Sequence, residues 1–365
     1  MGNKIRAAIV GTGAIAEVGH LPALRAEADR VDVVAAVDVD QQRVTDFADR
    51  ADIPGRYTSL SALLDREQPD LVHICTPPAL HAEQASACLA AGAWVLLEKP
   101  PCLSLAEFDR IQAAERAGGP YASVVFQHRF GSGARHFADL LAAGELGRPL
   151  VAQCVTAWYR DHAYFDVPWR GRWETEGGGP TMGHGIHQMD LMLALLGEWT
   201  EVRAMAGRLD RDVRTEDVST ALVRFANGAM ASVVNSLLSP RQESYLRFDL
   251  TDATVELTHL YGHSNDSWRY TPAPHVTDTD RIAAWRTPAA NVSSSHTAQL
   301  PHLLDAMARG VRPPVSGVQA RMTLELVTAI YRSAFTGEPV HRDQLGPDDP
   351  FYHRLHGDTP GWAGD

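Results

Sequence analysis

The chain has 365 residues, 33 basic against 45 acidic side chains, a net charge of −12 and 45% apolar residues. That length exceeds what a single hydrophobic core usually spans and predicts two domains; the acidic balance argues against nucleic acid as the main partner, because phosphate binding needs a basic surface. No apolar run is long enough to span a membrane and no signal-peptide pattern opens the sequence. The four cysteines, Cys75, Cys88, Cys102 and Cys154, lack Cys-x-x-Cys spacing, so the expectation is a cytoplasmic protein with buried, reduced thiols and no membrane partner.

The first part alternates short apolar runs with helical patterns. Strands are expected at Ile5–Val10, Val31–Val37, Leu71–Cys75, Ala93–Leu97 and Tyr121–Phe126. Between them lie helix-like stretches at Ile15–Ala28 (with Pro22 kinking or restarting it), Gln41–Ala51, Ala79–Ala91 and from Ser104 to about Ala117. Uniformly apolar strands separated by helices mean a parallel sheet buried on both faces, so residues 1–126 read as a doubly wound α/β domain. The pattern then changes. A helix is expected at Gly131–Ala143, a strand at Leu150–Tyr159 and a helix at His184–Leu196; successive longer strands run from Val202 to Leu257, with Asn227-Gly228 as a two-residue hairpin signal. Residues 127–345 therefore read as an α+β domain with a large open, mostly antiparallel sheet. His259–His296 reads as a long irregular excursion, Ala298–Ala308 and Val318–Ala334 as helices, the second packing back on the first domain, and 346–365 as an irregular tail.

Gly11-Thr12-Gly13-Ala14-Ile15-Ala16 follows a strand and opens a helix. In this G-x-G-x-x-A pattern the first glycine permits a tight turn, the second lets the backbone approach a pyrophosphate, and the small third residue lets helix and strand pack closely. Asp38 ends the second strand, where a carboxylate accepts the ribose hydroxyls of NAD and repels a 2′-phosphate; Arg43 leaves NADP open. Thr76-Pro77-Pro78 and Glu98-Lys99-Pro100 stand at the carboxyl ends of the next two strands, where open α/β sheets bind ligands. Lys4 and Lys99 are the only lysines in a chain that otherwise uses arginine, and lysine, unlike arginine, can give up a proton near neutral pH.

These residues, with His81, Gly177-Gly178-Gly179, Gly185-x-His187-x-x-Asp190, His296-x-x-Gln299 and Tyr331-Arg332-Ser333, resemble the glucose–fructose oxidoreductase/inositol dehydrogenase/rhizopine-catabolism family from Gly11 to about Val340. The resemblance implies a Rossmann domain, a second domain with an open sheet, homodimers or homotetramers joined through that sheet, and NAD(P)-dependent oxidation or reduction at a hydroxyl of a sugar, polyol or sugar derivative. It implies that Lys99 is catalytic and His187 the acid/base. The family usually has Asp four residues before that histidine; this chain has Gly183, with His184 beside it as a possible substitute.

The expected dinucleotide site comprises Gly11, Thr12, Gly13, Ala14, Ile15, Asp38, Arg43, Thr76, Pro77, Pro78, His81, Glu98, Lys99, Gln127 and Arg170. Aromatic and arginine side chains suit a polyhydroxylated ligand through stacking and fixed hydrogen bonds. The expected substrate site therefore adds Tyr159, Arg160, His162, Trp169, Arg172, Trp173, His184 and His187 to Lys99 and Gln127; domain packing explains the aromatic cluster nearly as well. His184, His187 and Asp190 are metal-ligand types, but i, i+3 positions over two turns drift around a helix, so no metal is expected. Two other readings stay open: glycoside cleavage through transient oxidation by bound NAD, and a non-enzymatic dinucleotide-dependent sensor.

Overall fold

The computed structural model describes residues 4–363. The chain divides into two compact units, one of residues 4–102, 107–125 and 296–320, the other of 103–106, 126–295 and 321–363. Among the described residues no helix is long and apolar enough to cross a membrane, and the four cysteines are buried and form no disulfide.

The first unit holds a six-stranded sheet: β1 (Ile5–Val10), β2 (Val31–Val37), β3 (Gly55–Tyr57), β4 (Leu71–Ile74), β5 (Trp94–Leu97) and β6 (Ala122–Val124). Their order is β3-β2-β1-β4-β5-β6 and every pairing is parallel. This is the doubly wound dinucleotide-binding order, with the strand order reversing between β1 and β4. Strand β3 and helix α3 (Leu60–Glu67) were not anticipated; β3 is three residues long and centred on Arg56, too short and polar to stand out. The helix after the glycine turn does not stop at Pro22. A π-helical turn, Ala16–His20, leads into α1 (Leu21–Ala26), with Leu21 N–H bonding back to Ala16 O, so Pro22 enters at the first turn of a new α segment, where its missing N–H costs nothing. Helices α2 (Gln41–Ala51), α4 (His81–Ala90), α5 (Leu105–Ala114, from Glu107 on) and α10 (His296–Arg309) follow the expected pattern closely. Leu300, Leu303 and Leu304 of α10 fill the same core as Ile9, Leu24, Phe47 and Leu96.

The second unit contains α6 (Ser132–Ala142), α7 (Pro180–Gly183), α8 (Ile186–Leu196), α9 (Thr279–Trp285), α11 (Val318–Thr336, from Arg321 on) and α12 (Pro350–His353). Its sheet has eight strands: β7 (Pro149–Tyr159), β8 (Trp199–Gly207), β9 (Val218–Phe225), β10 (Met230–Ser236), β11 (Leu238–Leu250), β12 (Ala253–His259), β13 (Trp268–Pro272) and β14 (Val340–His341), in the order β13-β12-β11-β7-β10-β9-β8-β14. Only β7 and β10 pair in parallel. Burial alternates along β9 as in a sheet covered on one face. Val151, Met205, Leu222 and Met230 all project from the other face, exposed.

Four expectations are corrected here. The β9–β10 loop is a three-residue turn closed by Phe225 N–H to Ala229 O, with Gly228 alone at positive φ, a type I turn plus bulge in place of the two-residue form. His259–His296 contains β13 and α9, pinned by buried Tyr270 and Trp285. Helix α8 starts at Ile186, leaving His184 in the break after α7. From Arg321 on, α11 belongs to the second unit, where Thr323 bonds Asp190, Tyr331 bonds Glu216, and Ser333 takes the N–H of Ala204.

Candidate functional site

In the first unit, Gly11 has φ +87°, and a Cβ there would stand 2.9 Å from the carbonyl carbon of Cys75, so both backbone conformation and the close approach of β4's end demand glycine. Gly13 differs: a Cβ there would meet no protein atom within 4 Å. Packing within the chain does not require glycine at 13, whereas a pyrophosphate lying on the backbone would. Ala16 is fully buried, as close helix–strand packing needs. Thr12 donates from its N–H (3.0 Å) and hydroxyl (2.9 Å) to Asp38 Oδ2, while Asp38 Oδ1 takes the Asp40 N–H (3.1 Å) and lies 3.8 Å from Arg43. The turn and the carboxylate are thus locked together. These features fit an adenine dinucleotide; the Gly11–Ile15 turn would hold its pyrophosphate and Asp38 its ribose.

At the ends of β4 and β5, Thr76 donates to Gln84 (2.6 Å). His81, fully buried, lies between the carbonyl oxygens of Thr76 (2.7 Å) and Pro100 (2.8 Å). Burial lowers its pKa, so as a neutral ring it donates to one at a time. His81 therefore ties the two turns together and shapes the site without facing a ligand. Glu98 is buried, with Lys99 beside it partly exposed. His20 Nε2 (2.9 Å) and His296 Nε2 (2.7 Å) both reach Glu98 Oε1, and His20 Nδ1 is 2.9 Å from His73 Nδ1.

In the second unit, His187 stacks on His128, with centroids 5.0 Å apart at 29°, and meets Phe126 edge-on. His128 also contacts His259 and His263, making a packed group of four imidazoles. Hydrogen bonding fixes several tautomers. His128 Nε2 donates to Tyr261 O (2.9 Å); His259 Nδ1 donates to the same carbonyl (3.0 Å), and its Nε2 accepts from Gln188 (2.9 Å). Burial pushes His259 down to about 4 and His263 to about 3, and drives His128 well below the ordinary histidine value. The group behind His187 is therefore neutral at neutral pH. One turn further along α8, buried Asp190 accepts from Arg129 Nε (2.6 Å) and Nη2 and from Thr323 (2.9 Å).

His184 faces Trp158 and Tyr164, its Nε2 3.4 Å from the Tyr164 hydroxyl. The Arg160 guanidinium lies over Trp158 and Tyr164 and donates to Tyr159 O, Gln242 and the Tyr261 hydroxyl. Arg170 stacks on Tyr164 and Trp169, bonds the Tyr164 hydroxyl and pairs with Glu176 at 3.5 Å. Arg172, Tyr159 and His162 are exposed. Gln127 opens a 3-10 turn, its buried Oε1 without a hydrogen-bond partner among the described residues. Trp173 is different: it is buried, its indole N–H is satisfied by Arg214 O (3.0 Å), and it packs on Tyr331, so it reads as core. The Gly177–Gly179 turn is held by the buried Glu216 carboxyl, which accepts from Gly179 N–H, Thr181 N–H and the Tyr331 hydroxyl. Sequence reasoning missed Glu216, Arg129, His128, His259 and two of the three imidazoles grouped at Glu98, His20 and His73, none of which belongs to a local motif; His296 stands in a family position, but its contact with Glu98 is not legible there.

Comparisons with known proteins identify the family. Residues 5–126 match the oxidoreductase family with NAD-binding Rossmann fold, and residues 134–256 match the GFO/IDH/MocA C-terminal domain. The putative UDP-kanosamine synthase oxidoreductase subunit of Amycolatopsis mediterranei is 30% identical, over 91% of this chain and 96% of that protein. D-apiose dehydrogenase of Paraburkholderia graminis is 27% identical, over 95% and 92%. The crystal structure of the WlbA dehydrogenase from Bordetella pertussis, in complex with NADH and UDP-GlcNAcA, superposes with a TM-score of 0.82 at 26% identity, covering 93% of this chain and 99% of that one. The chain therefore belongs to the Gfo/Idh/MocA family of oxidoreductases, with an NAD-binding Rossmann fold in its N-terminal part.

Proposed function

We propose that this protein is an NAD-dependent dehydrogenase or reductase acting on a hydroxyl of a sugar derivative, with nucleotide sugars the first class to test. The observation that carries the reading lies in the first unit: the Gly11 turn, locked to Asp38, and Lys99 stand at the carboxyl ends of β1 and β5 in one sheet, the edge where such sheets take their ligand. Bound NAD would supply the hydride acceptor at its nicotinamide ring. Lys99 hydrogen-bonds the reacting oxygen and steadies the charge that develops on it. His187 takes the hydroxyl proton as the carbonyl forms and returns it in the reverse direction. With glycine at 183, where the family resemblance implies an aspartate, the stacked His128 ring holds His187. The arginine and aromatic cluster of Trp158, Arg160, Tyr164 and Arg170 supports an anionic sugar derivative, as do the names of the Amycolatopsis relative and of the WlbA ligand. A homo-oligomer would bury the open sheet face bearing Met205, Leu222 and Met230.

The test is NADH formation over a panel of nucleotide sugars, free sugars, polyols and glycosides. Turnover should vanish in Lys99→Ala and His187→Ala, with NAD affinity by calorimetry nearly unchanged in His187→Ala. Full turnover in His187→Ala rejects its role; indifference to both NAD and NADP rejects the whole reading. Aglycone release without net NADH would replace it with glycoside cleavage.

A further inference from the structure

Glu98 is more than the residue before Lys99. Its carboxylate, at the end of β5, meets the π-helical turn through His20 and α10 through His296, and His20 in turn meets His73 of β4. His20 and His73 are fully buried, and Glu98 and His296 nearly so. The proton positions follow from chemistry. Burial alone would raise the pKa of Glu98, but the hydrogen bonds from His20 and His296 outweigh it and hold the carboxyl well below its ordinary value. An ionised carboxylate only accepts, so both Nε2 atoms donate to Oε1. Burial lowers the pKa of His20 and His73, so both are neutral. His20 then has a lone pair at Nδ1, which accepts the Nδ1–H of His73, and His73 Nε2 is left as a buried lone pair with no hydrogen-bond partner among the described residues. The other carboxylate oxygen, Oε2, accepts the main-chain N–H of Lys99 at 3.2 Å.

The same His20–Glu98–His296 atoms lie within 4.8 Å of one another and have metal-ligand chemistry. Two observations favour hydrogen bonds. The N···O separations of 2.9 and 2.7 Å are hydrogen-bond lengths, whereas ligands bound at about 2.0–2.1 Å around a tetrahedral ion stand roughly 3.3 Å apart. Metal ligation would also turn His20 Nδ1 into a donor and move the His73 proton to Nε2, leaving a buried N–H without an acceptor, which costs more than an idle lone pair.

We propose that His20 and His296 are positioning residues for Lys99: by donating to one oxygen of Glu98, whose other oxygen holds the Lys99 N–H, they fix where Lys99 leaves the end of β5. Gly19 is part of the device, because a Cβ there would come 2.9 Å from the His296 ring. Turnover is steeply sensitive to such placement; a displacement of about 1 Å can cost about a hundredfold.

The kinetic consequence rests on the role given to Lys99 above, but the positioning can be read without it. The chain has two lysines, so protein labelled with [13Cε]lysine gives two signals, assigned by Lys4→Arg. His296→Ala should shift the Lys99 signal and leave Lys4 in place, and His296→Gln, which puts an amide donor near the Nε2 position, should restore it. kcat should fall about 10- to 100-fold in His296→Ala and recover in the Gln variant, with KM and NAD affinity within about threefold. Gly19→Ala, which removes no polar group, should shift the same signal if His296→Ala does not fold. An unmoved Lys99 signal in both variants overturns the proposal, and so does a stoichiometric transition metal in the purified protein whose chelation moves that signal. Full activity in Lys99→Ala with a shifted signal in His296→Ala would sink the catalytic role and keep the positioning.

Discussion

Removing the Arg129 guanidinium should destabilise the second unit more than most single substitutions, and in a way that depends on pH. Asp190 is completely buried, and Arg129 is 14% exposed and reaches it with two nitrogens. In Arg129→Met the hydrophobic stem stays, but Asp190 keeps only the Thr323 hydroxyl. Breaking a buried pair from one side typically costs about 3–5 kcal/mol. For a unit of this size each kcal/mol is worth about 2–4 °C in Tm, so a drop of about 6–20 °C is expected at pH 7. Burial already raises the Asp190 pKa against the pull of Arg129; without Arg129 it rises further. A carboxyl whose folded pKa is raised contributes stability that is fully present below its unfolded pKa and lost as pH rises through the folded one. The penalty should therefore be small near pH 4 and grow toward neutrality. Arg129→Met/Asp190→Asn should regain most of the loss, because the amide oxygen still accepts from Thr323 and no charge is stranded. Urea unfolding of wild type, single and double variants at pH 4.5 and 7.5 checks this. A loss below about 1 kcal/mol at pH 7.5, or a double variant no better there than the single, would refute the reasoning.

Gly13→Ala should leave Tm within about 1 °C but weaken NAD at least tenfold by calorimetry, since its Cβ would meet only ligand; Gly11→Ala should lose both, given its φ of +87° and the Cys75 backbone 2.9 Å away. Asp38→Asn should weaken NAD about 10- to 100-fold, the worth of a charge-assisted hydrogen bond, and narrow the preference over NADP, measured with both dinucleotides. Burial pushes Glu216 up to about 7 against three hydrogen bonds that pull it down. Its stabilising contribution is complete below its unfolded value of about 4.5 and fades as pH rises through 7, by up to about 3 kcal/mol; Glu216→Gln should flatten that fall in urea melts at pH 5 and 8.

The first unit was readable because most of its strands are mainly apolar runs, β1 ended by Gly11, β2 by Asp38, and β4 and β5 followed within three residues by Pro77 and Pro100, and because Gly11, Gly13 and Asp38 sit at fixed offsets from those ends. The second was readable where period 2 was strong, as along β9. Reading failed where an element was short and polar, as at β3, or where alternation was carried by a few large rings, as at Trp268 and Tyr270 of β13. The chemistry divides in the same way. Lys99 and His187 were nameable from motifs, but the groups around them come from distant chain positions: His296 reaches Glu98 across 198 residues, and His128 meets His187 from another element. Local spacing holds no trace of such meetings. Trp173 shows the converse error, an aromatic in a suggestive neighbourhood whose burial and satisfied N–H make it core.

The weaving of the first unit bears on how the protein is made. Its sheet is complete in sequence by Val124, yet Leu300, Leu303 and Leu304 complete its core, and Val124 N–H finds its acceptor at Val315. A ribosome that has released the nucleotide-binding strands must synthesise nearly two hundred further residues before the helix that seals them emerges. Until then the nascent sheet exposes apolar surface, and a fragment cut at residue 126 would carry that defect permanently. Domain-swap chimaeras in this fold should therefore exchange residues 296–320 together with the N-terminal segment.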